Sequence, residues 1–240
     1  MTEPVTARPI RSFVLRQGRF SDAQERACTD LLPRLGIAAT DSPIDFDAAF
    51  SRTAPRILEI GFGMGDSLAA TAAVYPEKDF IGIEVHLPGV GSLLRQLDEA
   101  RITNVRVIRH DAVEVLERMI RPATLAQINL FFPDPWPKKR HHKRRIVQPD
   151  LVRLMASRLQ PGGMLHMATD WEDYALHMLE VVNGEPLLEN TVSGFADRPA
   201  TRPLTRFERR GLALGHVVHD LILRRRPADL SEPGTTPAGH

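Results

Sequence analysis

Three acids stand at regular places in the first half of the chain. Glu59 opens the stretch EIGFGMGDS, in which Gly61, Gly63 and Gly65 fall at alternate positions. Glu84 follows 25 residues later (84 − 59), near the end of FIGIEV, and Asp111 comes just after NVRVIR. Alternating glycines at a strand-to-helix turn accept positive φ and let a ligand reach the backbone. The helix beyond them offers free N–H groups. A dinucleotide-binding loop would need glycine where this chain has Asp66, which disfavours a nicotinamide oxidoreductase. A carboxylate ending the second strand can accept both hydroxyls of a ribose. One after the third can accept an adenine amino group, with the Ala112 N–H beside the ring. Together these residues read as a site for a nucleoside cofactor.

A fourth acid sits in INLFFPDPWPKKRHHKRR, residues 128–145. Pro133 and Pro135 flank Asp134, and Trp136 and Pro137 follow. Proline fixes its own φ and biases its predecessor to extended geometry, so Asp134 is expected in a rigid loop. A rigid carboxylate beside an aromatic ring suits the edge and face of a nucleobase. Six of the eight residues from Lys138 to Arg145 are Lys or Arg. Such a run beside a nucleobase site favours a polyanion, bound through phosphates in a salt-dependent way. The adjacent His141 and His142 lack partners for a metal site, so no metal is expected.

These residues need strand ends to hold them, and the pattern supplies strands. Short apolar runs at 56–61, 80–85, 104–109, 127–132 and 162–169 predict five strands. Between and after them, helices are predicted at Asp66–Val74, Pro88–Ala100, Ala112–Met119, Pro149–Leu159 and Trp171–Val182. HVVHDLIL, at 216–223, alternates like a late antiparallel strand. Strands alternating with helices imply βαβ units, hence an α/β, doubly wound, mostly parallel sheet. Its ligands belong beyond the carboxyl ends of the strands. One domain is expected over 11–223, with a disordered stretch at 1–10 and a loose basic tail at 224–240.

Composition narrows the setting. The chain has 240 residues and a formal net charge of +1, so an anionic partner must be met by a local patch. Cys28 is the sole cysteine, which excludes an intramolecular disulfide and fits a cytoplasmic protein. No apolar run approaches the ~20 residues of a membrane span.

FFPDPWPKKRHHKRR resembles the signature of the bacterial tRNA (guanine-N7-)-methyltransferases of the TrmB family. RSFVLRQGR (11–19), GIEVHLPGVGSLL (82–94), ATDWEDYA (168–175) and TRFERRG (205–211) resemble further family motifs, in order. His142 stands where the family usually has Asn. The glycine loop also resembles motif I, E-x-G-x-G-x-G, of class I S-adenosylmethionine-dependent methyltransferases, whose fold is a seven-stranded Rossmann-like sheet.

The resemblance implies S-adenosylmethionine as cofactor and guanosine 46 of the tRNA variable region as target. It implies that Glu59, Gly61, Gly63, Gly65, Glu84, Asp111 and Ala112 hold the cofactor, and that Asp134 meets both cofactor and substrate. Lys138, Asp170, Thr205, Arg206, Phe207 and Glu208 would contact the substrate. Arg140, His141, His142, Lys143, Arg144 and Arg145 would engage RNA. Monomer and homodimer both stay open. Two rivals remain: an amino-group RNA or DNA methyltransferase, whose Asn/Asp-Pro-Pro-aromatic order differs from Pro-Asp-Pro-Trp here, and a non-catalytic RNA-binding protein on the same fold.

Overall fold

A computed structural model describes residues 12–13 and 20–227, apart from the side chains of Arg206 and Phe207. The stretch 1–10, the basic segment 11–19 save Ser12 and Phe13, and the tail beyond Pro227 lie outside the described residues.

The chain runs α1 (Asp22–Leu35), α2 (Phe46–Phe50), β1 (Arg56–Ile60), α3 (Asp66–Val74), β2 (Asp79–Ile83), α4 (Leu87–Glu99), β3 (Val105–Ile108), α5 (Ala112–Arg118) and β4 (Leu125–Phe131). A 3₁₀ turn at Lys139–Arg144 leads to α6 (Pro149–Arg158), β5 (Leu159–Thr169), α7 (Glu172–Asn183), β6 (Leu188–Asn190), α8 (Arg206–Ala213) and β7 (His219–Arg225). The seven strands form one sheet in the order β3-β2-β1-β4-β5-β7-β6. β1 to β5 pair in parallel, and β7 lies antiparallel to both β5 and β6.

All five residues of β2 are buried, as are four of the five in β1. A parallel strand covered on both faces needs such a continuous apolar run. One apolar cluster joins α2, α5, α6 and α7 to one face of the sheet, and a second joins α1, α3 and α4 to the other. Strand order reverses between β1 and β4, so the ligand crevice of such a sheet opens at their carboxyl ends.

The expected strands and helices are all present, with ends shifted by a few residues. β7 extends through Arg225, so Arg224 and Arg225 belong to the sheet and do not open a tail. β5 begins at Leu159, before the expected 162, because a register shift between Leu125 and Gln127 accommodates Pro161 and the glycines. Two longer helices, α1 and α8, have no counterpart in the apolar pattern. The signal for α1 is local: Ser21 and Gln24 form a reciprocal capping box.

Candidate active site

The glycine loop owes its path to backbone sterics. Gly61, Gly63 and Gly65 all have positive φ, at 70°, 58° and 84°. A Cβ on Gly61 or Gly63 would meet nothing within 4 Å, so these two face open space. At Gly65 it would fall 2.6 Å from Leu93 Cβ, so this glycine lets α3 approach α4. Gly89, in the first turn of α4, would clash at 2.2 Å with the Gly63 carbonyl. The loop is therefore clamped from one side and bare on the other.

Two basins open over its bare side. The first has a volume of about 240 Å³ and is lined by Glu84, Asp111, Ala112 and Asp134 among apolar strand-end residues. The second, of about 750 Å³, is lined by Glu59, Gly63, Gly65, Ser92, Thr205 and Arg210. Gly61, Phe131 and Phe132 line both, so the two form one bent groove at the β1–β4 switch point. Every residue expected to hold the cofactor lies along it.

Glu84 is oriented by three backbone donors. Gly63 N–H reaches Oε2 at 2.9 Å, while Val85 and His86 N–H reach Oε1 at 2.7 and 3.0 Å. Asp111 caps α5, its Oδ1 accepting from Val113 N–H at 2.9 Å. Glu59 is 4% exposed and sits directly across the β1–β4 pairing from Asn129. Burial pushes the Glu59 carboxyl up to about 7, against a smaller opposing effect from the Asn129 hydrogen bond. Asn129 is itself oriented by Gln127, whose Nε2 donates to its Oδ1 at 2.7 Å. No described cation pairs with Glu59. A buried carboxyl of this kind, beside a bare glycine loop, fits a ligand carrying a positive charge. The sequence reading did not single out Asn129, although a polar residue inside the apolar run QINLFF was its signal.

Asp134 lies between two strained residues. Phe132 and Trp136 have φ of 49° and 44°, in the left-handed region that bulky side chains avoid. Phe132 is held there by its N–H to Ala168 O at 2.7 Å. Trp136 is held by its indole N–H to Ser12 O at 3.2 Å. Asp134 itself is exposed at the rim of the first basin and makes no hydrogen bond to a described residue.

The basic run divides into two parts. Lys138, Lys139, Arg140 and Lys143 are exposed, and Arg144 stacks over Trp136 at 5.0 Å from the ring centre. His141 meets the same ring edge-on at 5.8 Å. Desolvation and the charges of Arg140, Arg144, Lys138 and Lys143 hold the His141 imidazole below its usual range. His142 lies 3.9 Å from Asp173. Arg145 turns inward. It is 3% exposed, stacks over Tyr174 at 4.8 Å, donates to Pro135 O at 2.9 Å and pairs with Asp173. In this arrangement Arg145 is a tether for the basic turn and has no face left for a phosphate.

The later motifs reach the same end of the sheet. Asp170 directly follows β5 and lies 3.3 Å from His216 Nδ1. Thr205 caps α8, its Oγ1 accepting from Glu208 N–H at 3.0 Å. Glu208, expected at the substrate, is 2% exposed, with both oxygens taken by Arg202. Arg206 and Phe207 lie in α8, their side chains outside the described ones. Among the described residues, no group of three or more His, Cys, Asp or Glu could hold a metal ion, and no helix is long and apolar enough to cross a membrane.

A family described as "Putative methyltransferase" matches residues 53–221. Among solved structures, the 16S rRNA methyltransferase KamB superposes with a TM-score of 0.56 at 14% identity, covering 78% of this chain and 95% of its own. That likeness speaks for the fold: a seven-stranded α/β methyltransferase sheet. A tRNA (guanine-N(7)-)-methyltransferase of Aromatoleum aromaticum is 62% identical over 92% of this chain and 85% of its own length. One of Thiobacillus denitrificans is 60% identical over 94% of this chain and all of its own. At such identity over nearly the whole chain, the chain belongs to the tRNA (guanine-N7-)-methyltransferase family.

Proposed function

We propose that the chain transfers the methyl group of S-adenosylmethionine to N7 of guanosine 46 in the tRNA variable region, in the cytoplasm. One observation carries the reading: Glu59, Glu84, Asp111 and Asp134, from the ends of four adjacent parallel strands, line one groove over a bare glycine loop.

The groove fits the cofactor. Gly61 and Gly63 leave the room a methionine portion needs, and Glu59 offers a buried carboxylate to its ammonium group. Glu84 is oriented for ribose hydroxyls, and Asp111 with Ala112 for adenine. When bound, the cofactor supplies an electrophilic methyl group on a sulfonium.

The residues of this chain supply alignment. Guanine N7 carries a lone pair and no proton, so its attack needs no base; holding the reactants in line lowers the barrier by several kcal/mol. Asp134, on its strained loop, takes the N1–H and amino edge of guanine and offsets positive charge growing on the purine. Asp170, Thr205 and Lys138 contact the target nucleotide from the same end of the sheet. Arg140, Lys143 and Arg144 bind phosphates, with His141 and His142 beside them, and Arg145 anchors the turn that presents them.

The test is methyl transfer from labelled S-adenosylmethionine to unmodified tRNA transcripts, followed by reduction and aniline cleavage. N7 methylation weakens the glycosidic bond, so a single cut at a variable-region guanine is expected. Incorporation without a cut would favour amino-group methylation instead.

A further inference from the structure

The loop before α8 carries an arginine that no sequence motif singled out. Arg202 is 3% exposed and commits four of its five N–H donors to two carboxylates. Nε and Nη2 donate to Asp220 at 2.9 Å each, and Nη1 and Nη2 donate to Glu208 at 2.7 and 2.8 Å. The Asp220 arm is anchored in the sheet. Asp220 is the second residue of β7, pairs in register with Ala168 of β5, and is also held by His166 of β5 at 2.6 Å. The Glu208 arm ends on α8.

Among the described side chains of α8, this ion pair is the main inward hold. Glu208 is its one buried side chain among those described, and Leu212 is 46% exposed. Of the described side chains on α8, the buried one turns inward as half of an ion pair rather than as part of an apolar stripe. The helix nonetheless lines the groove, through its N-cap Thr205 and through Arg210. The same guanidinium lies 5.7 Å from the ring centres of Phe131 and Phe132, which line both basins.

We infer that Arg202 is a positioning residue for methyl transfer: through Glu208 it holds α8, and with it Thr205 and Arg210, against the groove, while its Asp220 arm keys that helix to the sheet. The inference rests on the methyl-transfer reading above and gives Glu208, which the family resemblance implied as a substrate contact, the part of a pin. A two-pronged planar guanidinium suits this geometry; a lysine ammonium keeps the charge but, with three donors on one nitrogen, cannot make two bidentate pairs at once.

The experiment compares the full-length wild type with Arg202→Lys and Glu208→Gln, by amide hydrogen exchange and by steady-state methyl transfer to unmodified tRNA. In Arg202→Lys, amides of 205–214 are expected to exchange about tenfold faster or more, while those of β5 and β7 stay within about twofold. The turnover number is expected to fall about tenfold or more with the tRNA KM within about threefold, because the basic turn is untouched. Glu208→Gln cuts the α8 arm alone and should show the same confined pattern, so it decides the matter if Arg202→Lys loosens the whole sheet. Unchanged α8 protection in Glu208→Gln with turnover lost would make Glu208 a direct substrate contact and overturn the inference. Loosened α8 with turnover intact would overturn it as well. Should wild type fail to methylate guanine N7, the proposed function fails, while the exchange result still reports on the pin.

Discussion

Replacing Glu59 with Gln should make the protein more stable and inactive, and the gain should depend on pH. The folded protein holds the Glu59 carboxyl at about 7 against an ordinary 4.5, chiefly through burial. Between those values the folded state keeps a proton that the unfolded chain has released. Stability therefore falls as pH rises from about 4.5 to about 7, then levels off. The gap of roughly 2.5 units corresponds to about 3 kcal/mol at pH 8. A glutamine has no such ionisation cost, its carbonyl can still accept from Asn129, and its side chain borders the second basin. Glu59→Gln should thus gain up to about 3 kcal/mol at pH 8, or about 6–12 °C in Tm, and almost nothing near pH 4. Denaturant unfolding of both proteins at the two pH values measures this, with S-adenosylmethionine affinity by calorimetry beside it. An equal gain at both pH values, or no gain at pH 8, would refute the reasoning. Retained cofactor affinity would refute the assignment of Glu59 to the cofactor.

Other perturbations separate binding from chemistry. Asp134→Ala should lower the turnover number by roughly 10²–10³ with thermal stability unchanged, since the side chain makes no hydrogen bond to a described residue; near-normal turnover in the labelled-methyl assay would remove it from the active site. Replacing Lys138, Arg140 and Arg144 together by Ala should weaken tRNA binding across sequences and reduce the slope of log K against log salt by about 1 per residue, measured by filter binding over a salt series. Gly65→Ala should destabilise by about 1–3 kcal/mol, because a Cβ meets Leu93 and φ is 84°. Gly61→Ala meets no neighbour, so beyond its own backbone strain it should mainly lower cofactor affinity; calorimetry and thermal unfolding distinguish the two variants.

The groove's main parts were legible in the chain because they depend on near neighbours. The spacing of Gly61, Gly63 and Gly65 records a turn, and Glu84 and Asp111 each follow an apolar run whose period marks a strand. The prolines around Asp134 announced a stiff loop, although proline alone does not foretell the positive φ of Phe132 and Trp136.

What the tertiary structure decided are the pairings between distant residues. Asn129 meets Glu59 only because β1 and β4 pair in one register. Arg144 and Arg145 are adjacent and identical in sequence, yet one stacks over Trp136 beside the exposed basic run and the other is buried against Tyr174. The resemblance implied Glu208 as a substrate contact, and no motif singled out Arg202. Their ion pair forms because β7 returns antiparallel beside β5 and brings Asp220 under the loop that precedes α8. Short-range sterics and hydrophobic period are written residue by residue; which charge is buried, and against which partner, depends on the register and packing of strands far apart in the chain.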